Sequence, residues 1–283
     1  MSDKLKNFLV RTASGAVLLG IVLAASLCHY TYALLLFVIM VVGMWEFYNI
    51  ATKVECRPRY AVGLVAGVVM FLSAFMLFDG YATGRGLDMD MFLGGLLYLV
   101  MLIPLCFIVE LFLASEHPLR NVASTLLGVW YVALPLSLML FIPLLLTDRG
   151  WTPWAFLFYL FIVWANDVFA YIVGVTMGRH RLCERISPKK SWEGFIGGIV
   201  GALAVGAIGA KVVGGGYLLW LGLAFVVALT GVLGDLVESM FKREADVKDS
   251  GNIMPGHGGM LDRFDALLIS SPFAFAYLAI MLY

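Results

Sequence analysis

Charge is what this sequence has least of. Only 13% of its 283 residues are Asp, Glu, Lys or Arg, while 62% are hydrophobic, and the mean hydropathy is +0.94. Soluble domains carry about a quarter charged residues, and no water-soluble fold of this length could cover so much apolar surface. The chain is therefore read as a membrane protein. No surplus of one sign exists either: nineteen basic side chains balance nineteen acidic ones, so nothing points to a nucleic-acid partner. Cysteine is scarce as well. Cys28, Cys56, Cys106 and Cys183 show no C-x-x-C spacing and no tie to a histidine pattern, which argues against a structural zinc site or a disulfide framework. Long polar stretches are missing too, so the chain shows nothing like an appended soluble domain.

What is present is a succession of apolar runs. A span needs about 20 mostly apolar residues, and nine segments qualify: roughly 10–29, 31–50, 60–78, 91–114, 122–146, 153–177, 193–211, 216–238 and 265–283. Lipid cannot satisfy free backbone amides, so each must be a helix. The expected fold class is all-α, a polytopic membrane protein with about nine transmembrane helices. The stretch LAASLC ending at Cys28 has the outline of a lipoprotein cleavage site, but Leu27 is bulky where a small residue is needed and further spans follow. The N-terminus is read as an uncleaved first span.

Charge placement gives the orientation. With the N-terminus cytoplasmic, sixteen Lys and Arg residues fall inside and only Arg85, Arg149 and Lys211 fall outside. Lys and Arg resist translocation, and this is the asymmetry that resistance produces. The C-terminus then lies on the opposite side. Residues 1–150 are read as N-terminal membrane helices with about five spans. Residues 151–283 are read as a catalytic membrane region with cytoplasmic loops at 178–193 and 239–264.

The charge that does occur is concentrated in those loops. GRHRLCERISPKKSWEG covers residues 178–194, and SMFKREADVKDSGNIMPGHGGMLDRFD covers residues 239–265, with ten ionisable residues and four glycines. Most basic loops only mark topology, but the second mixes acids among its bases and is flanked by carboxylates that enter the membrane. On a continuing helix, Asp235, Ser239 and Lys242 stand at i, i+4 and i+7, on one face; Asp262 and Asp265 stand at i and i+3 of the next. Clustered acids are costly unless a cation neutralises them. Oxygen-only ligands suit Mg²⁺, which takes one or two carboxylates and leaves other positions to substrate phosphates. The intervening glycines let backbone N–H groups approach an anion, and Lys242, Arg243, Lys248 and His257 add positive charge. Acids for a metal, with lysines and glycines for phosphates, are what a nucleotide-handling site needs.

Polar residues also stand outside these two loops. Asn166 and Asp167 lie inside an apolar run, where a polar pair is either functional or a clamp between helices. Glu46 and Glu110 sit near helix ends and are read as snorkelling or paired side chains. Ser191 is placed at a helix N-cap, where orphan N–H groups and the helix dipole attract anions. Trp192 reads as an interfacial anchor. Gly194, Gly198 and Gly201 imply close helix packing, within the chain or across a dimer.

The long second loop resembles the signature of the phosphatidate cytidylyltransferases, the CDP-diacylglycerol synthases. The resemblance is carried by Ser239, Lys242, Arg243, Lys248, Asp249, Gly251, Pro255, His257, Gly258, Gly259, Asp262, Arg263 and Asp265. NDVFAYIVGVTMGRHRL and ISPKKSWEGFIGG resemble the family's other recurrent block, so the close likeness covers residues 164–265. Met254 departs from the pattern, where another apolar residue is usual, and changes nothing chemical. The resemblance implies CTP plus phosphatidate giving CDP-diacylglycerol and pyrophosphate, for phospholipid synthesis, with Mg²⁺ and a possible second, monovalent cation. It also implies a homodimer of nine-helix subunits in the bacterial cytoplasmic (inner) membrane. By similarity, Asp235 and Asp262 are the first metal ligands, with Asp265 close behind. Lys242, Arg243, Lys248 and the turn His257–Gly259 would hold the triphosphate, in a signature that also contains Ser239, Asp249 and Arg263. Lys189, Lys190 and Ser191 would contact one of the phosphates, and Asp167 would line the pocket or bind the second cation.

Two rivals belong to other classes. A secondary transporter would place its site near the bilayer midplane and show duplicated halves; the polar residues here gather at one face and no repeat is visible. A scaffold that only recruits partners has no need of the intramembrane Asn166–Asp167 pair. Another lipid enzyme, a CDP-alcohol phosphotransferase, would show an Asp-Gly…Ala-Arg…Gly…Asp…Asp motif that this chain lacks.

Overall fold

The computed structural model describes residues 3–85, 89–113, 115–147, 150–254, 256 and 258–282. Arg149, Pro255 and His257 lie outside the described residues, as do the side chains of Lys4, Lys6 and Arg11. The helices are α1 (Asp3–Ser26), α2 (His29–Lys53), α3 (Tyr60–Thr83), α4 (Met89–Leu113), α5 (Pro118–Gly128), α6 (Leu134–Met139), α7 (Ile142–Leu145), α8 (Pro153–Met177), α9 (Trp192–Val212), α10 (Tyr217–Glu244) and α11 (Leu261–Leu282). The chain is nearly all-α, as its composition requires. Among the described residues eight helices are long and apolar enough to cross a membrane. The first expected span corresponds to α1, of which only Thr12–Ser26 enters that reckoning.

One element departs from an all-α reading. Arg181–Cys183 (β1) and Ser187–Ser191 (β2) form an antiparallel hairpin between α8 and α9. A charged connection of this length is too polar to enter lipid, and pairing with itself satisfies its backbone groups.

The helices fall into two compact units, Met1–Leu140 with Phe241–Phe264, and Phe141–Met240 with Asp265–Tyr283. In the first, α2 is the central helix, packing on α3, α5 and α6. It buries Tyr32, Leu36, Ile39, Met40, Met44, Phe47 and Tyr48, a helical spacing of apolar residues. The Tyr48 hydroxyl donates to the Thr125 carbonyl at 2.9 Å, and its ring lies where a Cβ at Gly63 or Gly128 would stand. Between α5 and α6 a π turn covers Val129–Ala133. Pro135 follows it, and a proline's missing N–H removes the ordinary i→i−4 bond to Tyr131.

In the second unit, α8 and α9 form the most extensive helix pair. Small residues set their separation. A Cβ at Gly194 would fall 2.7 Å from the Ala170 carbonyl oxygen, and one at Gly198 would fall 2.6 Å from Asn166 Oδ1. The glycines of α9 therefore serve packing within the chain. Gly198→Ala is expected to destabilise the detergent-solubilised protein by about 1–3 kcal/mol, the usual cost of overpacking, whereas Val200→Ala, on an exposed face, should be nearly neutral. Denaturant midpoints of the two variants check this.

Candidate functional site

Two polar centres carry the sequence's candidate residues, one in each unit. The centre in the second unit is a cavity of about 530 Å³. One part of its wall is polar, with Asp167, Arg181, Lys189, Lys190, Ser191 and Asp235; the rest is apolar, including Tyr171, Val175, Leu182 and Phe195. Asp167 comes from α8, the basic residues from the hairpin, and Asp235 from α10.

Each part is fixed by local structure. Ser191 has extended backbone angles and its hydroxyl accepts from Gly194 N at 3.1 Å, so it is the N-cap of α9. That satisfies one orphan donor at the positive end of the helix dipole, where an anion is favoured. The hairpin carries Lys190 back to that helix end. Its ammonium pairs with Asp235 at 2.7 Å and reaches the Val232 carbonyl at 3.4 Å. Ser239, one turn on from Asp235, donates to the same carboxylate at 3.2 Å. Lys189 is exposed at the cavity edge.

Asn166 and Asp167 are adjacent in sequence but separate in role. Asn166 is buried against α9, over Gly198, and its Oδ1 has no hydrogen-bond partner among the described residues. Asp167 faces the cavity.

The centre in the first unit is built around α11's first turn. Asp262 Oδ1 accepts from Lys242 Nζ at 2.6 Å. Its Oδ2 accepts from Ser250 N and Gly259 N, both at 2.8 Å, and from Ser250 Oγ at 3.0 Å. Gly258 has φ +84°, a left-handed conformation that favours glycine. A Cβ there would also stand 2.6 Å from Asp262 Oδ2. Lys248, Asp249, Arg243 and Arg263 are exposed around this turn. Asp265, in the other unit, accepts from Ala266 N at 2.7 Å.

Among the described residues, no group of three or more His, Cys, Asp or Glu side chains is placed to hold a metal. The cavity pair, Asp167 and Asp235, fits an ion that takes one or two carboxylates and completes its shell with water and phosphate oxygens. Asp262 is a poorer fit as it stands, because its carboxylate is nearly buried and one oxygen accepts three hydrogen bonds while Lys242 holds the other; Asp235 has, among the described residues, one partner on each oxygen and is far more open.

Residues 9–281 match the cytidylyltransferase family. The chain belongs to that family. Phosphatidate cytidylyltransferase of Haemophilus influenzae is 34% identical over 94% of this chain and 96% of its own length. The enzyme of that name from Rickettsia bellii is 38% identical over 55% of this chain and 69% of its own. That from Bacillus subtilis reaches 48% identity over a shorter stretch, 42% of this chain and 45% of its own.

The centre in the first unit also holds a residue the sequence left aside. Glu46 of α2 is not a snorkelling side chain. It is 2% exposed, and it accepts from Ser250 Oγ, Met260 N and Leu261 N at 3.0, 3.0 and 2.9 Å. Glu110 is paired, with Arg59 at 2.6 Å, Asn121 at 2.6 Å and Ser115.

Proposed function

We propose that this cytidylyltransferase moves a cytidylyl group from CTP to phosphatidate, giving CDP-diacylglycerol and pyrophosphate. The cavity of the second unit carries this reading beyond family membership. A basic and acidic wall at a helix N-terminus meets an apolar wall in one space, which suits a substrate with a phosphate head and acyl chains. The names of the Haemophilus influenzae and Rickettsia bellii relatives support the same substrate.

In the proposed reaction a phosphate oxygen of phosphatidate attacks the α-phosphorus of CTP, and pyrophosphate leaves. Such transfers ask a protein chiefly for positioning and charge stabilisation. Lys189 and Lys190 offset phosphate charge, and the N–H groups behind Ser191 orient one phosphate group. Asp235 and Asp167 would hold Mg²⁺, which when bound neutralises phosphate charge and makes the α-phosphorus more electrophilic. Asp262 and Asp265 are proposed as further ligands from their place in the motif; for Asp262 this requires Lys242 to turn to a phosphate. Lys242, Arg243, Lys248 and the turn with His257 are proposed to engage the triphosphate. A monovalent cation and a homodimer complete the proposal.

The proposed setting is the cytoplasmic face of a bacterial inner membrane, with nine spans, the N-terminus inside and the C-terminus outside. The sixteen-to-three split of basic residues supports it. A site at the interface lets dissolved CTP meet a lipid that stays in its leaflet.

Purified protein in phosphatidate-containing micelles is expected to release pyrophosphate from CTP only with both phosphatidate and Mg²⁺ present. Release without phosphatidate, or none with both, sinks the proposed reaction.

A further inference from the structure

We propose that Glu46, a residue of the N-terminal helices with no part in the signature loop, is the positioning residue that holds that loop and the start of α11 in working order. The inference rests on the transfer reading for its consequence, though not for its geometry. Glu46 is separated from its partners by more than 200 positions, with |i−j| of 204, 214 and 215 for Ser250, Met260 and Leu261. A buried carboxylate needs either a counter-charge or a full set of donors. Here it has donors: two backbone N–H groups at the start of α11 and one serine hydroxyl. The first N–H groups of a helix lack intrahelical partners, and α11 obtains two of its own from a different helix.

The loop's glycines are cut to this carboxylate. A Cβ on Gly251 would lie 2.3 Å from Glu46 Oε1, and its three nearest atoms would all belong to Glu46. A Cβ on Gly259 would meet the Ser250 hydroxyl first and would lie 2.5 Å from Glu46 Oε2. Ser250 links the two acids, because its hydroxyl lies 3.0 Å from a carboxylate oxygen of each and shares its one proton between them. Glu46 thus fixes Ser250, Ser250 and Gly259 fix Asp262, and Asp262 fixes Lys242. Both oxygens of Glu46 are taken up by these protein donors, and the side chain is buried. In the proposed transfer it acts through Asp262 and Lys242.

The test has two readouts. Hydrogen exchange, followed by mass spectrometry on the protein in detergent, reports the clamp without any assay of function. Glu46→Gln puts an amide NH₂ where a donor already points, so exchange in the peptide covering Gly259–Leu261 is expected to rise by about tenfold. Peptides from α8 and α9 in the same sample should not change. Steady-state transfer gives the second readout, with an expected fall in kcat of about tenfold or more.

Gly251→Ala supplies a variant that keeps the charge. It should lower kcat in the parent protein and lower it much less in a Glu46→Asp background, where the shorter side chain withdraws from the added methyl. Unchanged exchange at Gly259–Leu261 in Glu46→Gln overturns the proposal, as does a Gly251→Ala effect that is equal in both backgrounds. If the parent protein transfers nothing while exchange responds as expected, the clamp stands and the transfer reading falls.

Discussion

Asp235→Asn is expected to lower CTP-dependent transfer by about a hundredfold or more, the scale on which a single preorganised polar group acts in a reaction that builds charge, while leaving stability almost unchanged. The geometry separates those effects. Asp235 and Lys190 pair at 2.7 Å, but their side chains are 43% and 24% exposed. Pairs this accessible contribute on the order of 1 kcal/mol or less, and asparagine still accepts the Ser239 hydrogen bond. What asparagine cannot do is supply a negative oxygen to a cation in a cavity that also holds Asp167. The Mg²⁺ concentration for half-maximal rate should therefore rise in whatever activity remains. Lys190→Met separates the alternatives. If Asp235 serves only to hold Lys190, the single and double variants will have equal rates; if it also holds the ion, the double variant will be slower than Lys190→Met. Normal turnover by folded Asp235→Asn would falsify the cavity as the reacting site.

The legible part of this molecule is the part governed by local rules. Hydropathy alone located the main helices, because lipid imposes one length and one polarity on them. The N-cap at Ser191 was legible too, since a serine ahead of a small-residue helix satisfies a donor that must be satisfied somewhere. The glycines of α9 were readable as close packing, and the structure assigns that packing to α8. The hairpin at 181–191 escaped notice because its residues are charged and its strands are three and five residues long, below any periodic signal.

Glu46 escaped for a deeper reason. One acid in a run of apolar residues looks the same whether it snorkels or is buried. Only its partners decide, and they are supplied by a loop some two hundred residues away. The signature loop carried an indirect trace of it in Gly251 and Gly259. Gly251 must lack a side chain because a carboxylate from α2 lies against it, and Gly259 because that carboxylate and the Ser250 hydroxyl bound to it do. From sequence those glycines read as phosphate-facing backbone. The same spacing serves both readings, and packing tells them apart.

Asp262→Asn is expected to abolish transfer and, unlike Asp235→Asn, to destabilise the protein as well. Asp262 and Lys242 have side chains only 7% and 14% exposed. Asparagine removes the carboxylate charge that faces this largely buried ammonium, and breaking such a pair costs about 3–5 kcal/mol. Asparagine has one acceptor oxygen for two jobs. Turned toward Ser250 and Gly259 it aims its NH₂ at Lys242, and turned toward Lys242 it aims that NH₂ at three donors. Loss of activity in the single variant would therefore not distinguish chemistry from misfolding. The pair Lys242→Met with Asp262→Asn does. Removing both charges should recover at least about 1 kcal/mol of the stability lost by Asp262→Asn, because no ammonium then faces the asparagine amide and that amide can turn its oxygen to Ser250 and Gly259. Transfer should stay undetectable, since the recovered fold lacks the lysine proposed for the triphosphate and the acid that orients it. Stability and activity would then move in opposite directions on adding Lys242→Met. A folded double variant that transfers at the parent rate would show that this ion pair only holds the loop, and that the phosphates are handled elsewhere.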